Sequence, residues 1–293
     1  MPELPEVETV VRDLRPLLIG RRIRRVWVGR PALRTPWKAV WTRRLVDRRI
    51  ETIRRRGKWI VVELDDGQRL VVHLGMTGQL TGTPAAAPIE DHTHRIFDLD
   101  DASIQLRFRD VRRFGGLALF ADEKSLAGFF VSSGLGPEPF GLDPYYWRRR
   151  LGSAKRCLKA VLLDQTVAAG VGNIYADEAL FEARLHPGRI AAALSAAEAG
   201  RLRRAVETVL NRAIERRGSS IRNYVGGSGL RGEMQNEFRV YSRTGQPCPR
   251  CGAPIERLRL AGRSSHFCPA CQKSCQLSAI SRRPGGRQRM ADS

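Results

Sequence analysis

Trp59-Ile60-Val61-Val62-Glu63-Leu64-Asp65-Asp66-Gly67-Gln68-Arg69-Leu70-Val71-Val72-His73-Leu74 reads as two strands and the turn between them. Trp59–Leu64 and Leu70–Leu74 are rich in β-branched residues, and Asp65-Asp66-Gly67 has hairpin-turn chemistry. Working outward, strand-like segments recur at Ile23–Val28, Ile96–Leu99, Ile104–Phe108 and Leu117–Phe120, with Asp100-Asp101 as a second turn. Several alternate apolar and polar, as half-buried antiparallel strands do. Upstream, Val7, Val10, Val11, Leu14, Leu17 and Leu18 fall at helical spacing, and Gly20 closes the pattern. Residues 1–133 are therefore expected to form a β-sandwich or flattened barrel with the first helix packed against it.

The pattern changes near Gly134, where Gly136-Pro137-Glu138-Pro139 reads as a linker. Helical periodicity then dominates, over about 144–151, 156–164, 174–184 and 195–217. The last helix opens on a Ser195/Glu198 capping box and stops before Gly218. Residues 218–235 are rich in Gly and Ser and form a long loop, a kind that is usually functional or disordered. The expected division is 1–133, 134–236, a cysteine module over 237–275 and a basic, disordered tail over 276–293. The fold class is α+β, with several domains.

Lys and Arg number 51 against 30 acidic residues, a formal net charge of +21. Such an excess repels itself unless a polyanion relieves it, so nucleic acid is the expected partner. A membrane surface ranks below, because no long basic amphipathic helix is present. No apolar run approaches the ~20 residues that span a bilayer. The start is acidic within eight residues, unlike a signal peptide. The cytoplasm, at the nucleoid, is the expected location, and a monomer is the expected state. In that reducing compartment the six cysteines are not expected to form disulfides.

Four cysteines have metal spacing: Cys248-Pro-Arg-Cys251 and Cys268-Pro-Ala-Cys271. Each pair suits a tight turn whose sulfurs converge, and four thiolates complete a tetrahedral zinc ribbon with no open coordination position. One structural Zn²⁺ is expected; an iron centre is the alternative. Cys157 and Cys275 receive no role.

The start, Met1-Pro2-Glu3-Leu4-Pro5-Glu6, allows two readings. Pro and Glu are ordinary residues of a first helical turn. Alternatively, removal of Met1 would leave Pro2 with the chain's terminal secondary amine. Such an amine can attack a sugar C1′, with Glu3 and Glu6 at hand for proton transfer.

Five motifs in order decide between them: PELPEVET at the start, HLGMTG at His73–Gly78, DVRRFGG at Asp110–Gly116, DQTVAAGVGNIYADEALF at Asp164–Phe181, and the cysteine ribbon. Together they resemble the bacterial formamidopyrimidine-DNA glycosylases, from Pro2 to about Lys273. The resemblance implies a helix–two-turn–helix in the helical domain and damaged double-stranded DNA as partner. It also implies excision of oxidised purines, followed by β- and δ-elimination.

It carries roles onto single residues. Pro2 matches the nucleophile, Glu3 the acid assisting sugar-ring opening, and Glu6 a second carboxylate for positioning and proton transfer. Lys58 matches the lysine at the phosphate and elimination step. Arg263 matches an arginine of the second elimination, although a guanidinium, which barely ionises, suits phosphate clamping better. Met76, Arg112 and Phe114 match the residues that fill the gap left by an extruded base; Met76 and Phe114 could instead be core, but Gly75, Gly78 and Gly115 argue for loops. Asn173 matches a phosphate contact and is also read as the cap of a helix starting at Ile174, whose first N–H groups suit a phosphate. His92 and Lys155 are further DNA contacts, with His94 the other member of the histidine pair. His73 is either a strand histidine or a phosphate neighbour. Tyr241 either bridges the helical domain and ribbon or touches phosphate. The loop Gly218–Arg231, with Ser219, Ser220, Asn223 and Tyr224, matches one that closes over the extruded base. A related class preferring oxidised pyrimidines is disfavoured by Leu4. A zinc-ribbon binding protein without chemistry would lack Pro2, Glu3 or Lys58.

Overall fold

A computed structural model describes residues 2–30, 32–220 and 224–273. Met1, Asn223, Cys275 and the segment 276–293 lie outside the described residues. The first helix, α1 (Leu4–Leu18), has Glu3 at its N-cap and Pro5 in its first turn. Val7, Val10, Val11, Leu14 and Leu18 are fully enclosed. Burying one such side chain contributes about 1.5–3 kcal/mol, so this face docks the helix.

Strand β1 (Ile23–Val28), helix α2 (Ala39–Leu45), and strands β2 (Ile50–Arg56), β3 (Trp59–Leu64), β4 (Arg69–His73), β5 (Gly78–Pro84), β6 (Thr93–Leu99), β7 (Ile104–Asp110) and β8 (Gly116–Phe120) follow. They form two antiparallel sheets, ordered β1-β6-β7-β5 and β2-β3-β4-β8. The hairpin of residues 59–74 is β3 and β4, in register from Trp59 opposite His73 to Glu63 opposite Arg69. Helix α1 lies along β2 and β5, an edge strand of each sheet. One apolar core joins Val7 and Leu14 to Ile53, Ile60 and Val72 of one sheet and Phe97 and Phe108 of the other.

Four elements of this part went unread in the sequence. Strand β2 hides behind Arg54, Arg55 and Arg56, although Ile50 and Ile53 reach the core. Strand β5 encloses only Leu80 among its apolar side chains. Helix α2 is short, and α3 (Glu123–Ser132) starts on an Asp122–Ser125 capping box.

The helical part comprises α4 (Pro144–Gly152), α5 (Leu158–Leu163), α6 (Asn173–Glu182) and α7 (Ala196–Glu215), the last with the expected Ser195–Glu198 box. Their shared core includes Leu4 of α1, which ties the chain's start to this part. The cysteine module carries the hairpin β9 (Glu256–Leu260) and β10 (Arg263–Phe267). It packs Val240, Ile255, Cys248 and Cys268 against Phe181 of α6.

Candidate active site and nucleic-acid interface

The start of α1 meets the start of α6. The carboxylate of Glu3 accepts from the Ile174 N–H at 3.0 Å and the Tyr175 N–H at 3.5 Å. Leu4 N–H donates to the Gly170 carbonyl at 3.1 Å. Two glycines permit this approach. A Cβ on Gly172 would stand 2.3 Å from Glu3 Cδ, and one on Gly170 would stand 2.7 Å from Leu4 Cβ. The reading of Asn173 as the helix cap is thereby corrected. Gly172 holds the N-cap position, and the capping oxygen comes from Glu3, far away in sequence. The Ile174 and Tyr175 N–H groups, which the sequence offers to a phosphate, are therefore already turned to Glu3.

Glu6 is enclosed beside it, at 2 % exposure. Its Oε1 accepts from the Tyr175 hydroxyl at 2.5 Å and the Ser219 N–H at 2.8 Å, and its Oε2 from the Glu3 N–H at 2.9 Å. Burial, then the neighbouring Glu3, push its pKa above the ordinary carboxylate value, and the three hydrogen bonds oppose them. Lys58 is buried at 8 % exposure. Burial lowers its pKa; Glu3 and Glu6 act in the opposite sense, and Arg263 adds to the lowering. Lys58 thus senses both carboxylates and the guanidinium at the head of β10. Arg263 itself is exposed. Pro2 is buried next to this cluster.

His73 lies between the cluster and a second group. Its ring packs 4.6 Å from Trp59, and its Nδ1 accepts from the Gly75 N–H at 3.1 Å. Burial, then Lys58 and Arg34, lower its pKa to about 4, so it is neutral at pH 7. The loops beyond carry Met76, half-buried, and Arg112 and Phe114, both exposed. The Arg112 guanidinium lies over the Phe114 ring at 4.7 Å. Phe114 is 46 % exposed, so it is not core. His92 is exposed, whereas His94 is buried with Nε2 3.0 Å from the Asp110 carbonyl.

Lys155 is exposed and lines a cavity of ≈ 360 Å³ with Arg150, Ser153 and Arg156. Asn173 donates to the Ser264 carbonyl at 3.2 Å, and its buried Oδ1 has no protein partner. Tyr241 has the bridging position: its N–H donates to Glu178 at 2.8 Å and its ring meets His266 of β10 at 5.1 Å. The stem of the 218–231 loop is tied to α1. Ser219 reaches Glu6, and the Tyr224 hydroxyl donates to the Glu6 carbonyl at 3.0 Å.

Several site residues escaped the sequence reading. Tyr175 was one. Asp177 was another: fully enclosed, it accepts from Lys159 Nζ at 2.6 Å and from the His266 N–H at 2.9 Å. Glu178 accepts from the N–H groups of Arg239, Val240 and Tyr241. The available signal was an Asp-Glu pair inside a helix otherwise enclosed from Ile174 to Phe181.

The sulfurs of Cys248, Cys251, Cys268 and Cys271 lie within 4.8 Å of one another. Three separations are 3.5, 3.5 and 3.9 Å. Tetrahedral zinc with bonds of about 2.3 Å needs sulfurs roughly 3.8 Å apart, so the donor set fits one structural Zn²⁺. Among the described residues no helix is long and apolar enough to cross a membrane.

A two-sheet body, a helical body and a zinc ribbon, with acids and a lysine gathered at the chain's start, define a DNA glycosylase of base excision repair. Three family models match in order: the formamidopyrimidine-DNA glycosylase N-terminal domain over residues 1–117, the H2TH domain of the same enzymes over 135–225, and the zinc finger found in FPG and IleRS over 245–273. The formamidopyrimidine-DNA glycosylase of Desulforamulus reducens is 45 % identical over 280 residues, covering 94 % of this chain and 100 % of the relative. That of Moorella thermoacetica is 50 % identical over 266 residues, covering 88 % and 95 %. A crystal structure of the Lactococcus lactis FPG mutant G226P with DNA containing Fapy-dG superposes with a TM-score of 0.87 at 38 % identity, covering 93 % of this chain and all of that one. The chain belongs to the formamidopyrimidine-DNA glycosylase family.

Proposed function

We propose that the mature chain, with Met1 removed, excises oxidised purines such as 8-oxoguanine and formamidopyrimidines from duplex DNA and then cuts the strand by β- and δ-elimination. The observation that carries this reading is the enclosure of Glu3, Glu6 and Lys58 around the segment that begins at Pro2. The Pro2 amine attacks C1′, the base leaves, and the iminium acidifies the C2′ proton. Glu3, held at the α6 start, assists opening of the deoxyribose ring. Glu6 positions the nucleophile and supports proton transfer. Lys58, with its lowered pKa, exchanges a proton more readily near neutral pH than an exposed lysine does. Arg263 clamps phosphate at the elimination step.

The target base must leave the stack first. Met76, Arg112 and Phe114 fill the gap, and the Gly218–Arg231 loop closes over the extruded base. His92, Lys155, Asn173 and Tyr241 bind the backbone; the unpartnered Asn173 Oδ1 and the Lys155 cavity support this. The protein works as a monomer in the cytoplasm, at the nucleoid. The test is borohydride trapping on an 8-oxoguanine duplex. The mature protein should form a covalent adduct, and Pro2→Gly should slow base release and strand cleavage together. Unchanged rates for both would refute the nucleophile assignment.

A further inference from the structure

Asp110 ends β7 and is fully enclosed. Its Oδ1 accepts from the Thr77 hydroxyl at 2.6 Å and the Arg112 N–H at 3.2 Å, and its Oδ2 from the Gly115 N–H at 2.7 Å. Its own N–H donates to the His92 carbonyl at 3.0 Å, and its carbonyl meets His94 Nε2 at 3.0 Å. Thr77 follows Met76, while Arg112 and Gly115 bracket the turn that presents Phe114. Every segment bearing a residue read as a wedge or as the His92 contact therefore converges on one residue.

These three donors, a hydroxyl and two backbone N–H groups, are neutral, so charge pairing is not the side chain's purpose; it presents acceptors in two directions. The loops need that brace. Gly75 and Gly115 touch so closely that a Cβ on Gly75 would lie 2.4 Å from Gly115 N, and Arg113 holds a φ of 58°, in the left-handed region. Without the carboxylate, the buried Gly115 N–H would lose its acceptor, the Arg112 N–H would keep only the Thr77 hydroxyl at 3.1 Å, and the turn would lose what holds it there.

We propose that Asp110 is the positioning residue of base extrusion: it sets Met76, Arg112 and Phe114 as one rigid unit and takes no part in the chemistry at C1′. This rests on the reading given under the proposed function. Asparagine at 110 keeps the shape but turns an N–H₂ group toward one side's donors. Thr77→Val removes one strut with the carboxylate intact, and it serves if Asp110→Asn does not fold.

The assay compares an 8-oxoguanine:cytosine duplex, where a stacked, paired base must be moved, with a duplex holding a ready-made abasic site. Each variant should lose at least tenfold in excision rate and several-fold less in abasic-site cleavage. The fast fluorescence rise of 2-aminopurine placed beside the lesion, which reports unstacking, should slow with excision. The double variant should be no slower than the worse single one, because both break one unit. Equal losses on both substrates, or unchanged excision in Thr77→Val and in any folded Asp110→Asn, would overturn the proposal. If the unsubstituted mature protein forms no borohydride adduct on either duplex, the underlying reading fails instead, and the proposal with it.

Discussion

Tyr175→Phe tests how the buried acid is held. Glu6 receives the Tyr175 hydroxyl at 2.5 Å, the Ser219 N–H at 2.8 Å and the Glu3 N–H at 2.9 Å. Its pKa nevertheless lies above the ordinary value, because burial and the neighbouring Glu3 outweigh those bonds. A hydrogen bond to a charged group is worth about 1.5–3 kcal/mol. Deleting the hydroxyl should therefore raise the Glu6 pKa further, by about 1–2 units at 1.36 kcal/mol per unit. A carboxyl whose folded pKa exceeds its unfolded one contributes nothing adverse below the unfolded pKa. Stability is then lost as pH rises through the folded pKa. Phenylalanine prolongs that loss to a higher pH. The gap in melting temperature between wild type and variant should therefore widen from pH 4 to pH 8. At ~2–4 °C per kcal/mol for a chain near this size, the widening is roughly 3–12 °C. Calorimetry across pH measures it, and carbon-13 NMR of labelled glutamate follows the titration directly. A gap constant over that range, or one that narrows, would refute the claim that Tyr175 stabilises the charged form of Glu6.

Two further outcomes follow from the junction around α6. Lys159→Met leaves the enclosed Asp177 without its cation, a break that costs about 3–5 kcal/mol, so the melting temperature should fall by roughly 6–20 °C in thermal scans. Cys268→Ala removes one of four sulfurs and should release zinc, measured by metal analysis. DNA affinity in a gel-shift titration should fall far more than the far-ultraviolet circular dichroism signal, because residues 1–230 keep their own cores.

What the sequence could disclose depended on how far apart the partners lie. The hairpin of Trp59–Leu64 and Arg69–His73 was legible because its two strands and turn are adjacent and each half advertises burial. The cysteine ribbon was legible because ligand spacing is local geometry. Strand β2 was not, since its three arginines outnumber its two core isoleucines, and their ion-pair partners Glu63, Glu123, Glu8 and Glu138 come from four other segments. Asn173 was misread for the same kind of reason. A polar residue before an apolar helical run has the pattern of a cap, and nothing local indicates that the carboxylate of Glu3, 171 residues upstream of Ile174, has taken that place. Gly170 and Gly172 are constrained by the approach of Leu4 and Glu3, which no local pattern discloses. That approach is also why the chemistry at the start of the chain depends on the helical body. Glu3 cannot hold its orientation unless α6 begins where it does. Helix α6 is fixed in turn by Asp177 and Glu178, which bind the ribbon and the segment leading to it. A substitution in the zinc module can thus reach the N-terminal acid through a single helix, without touching DNA.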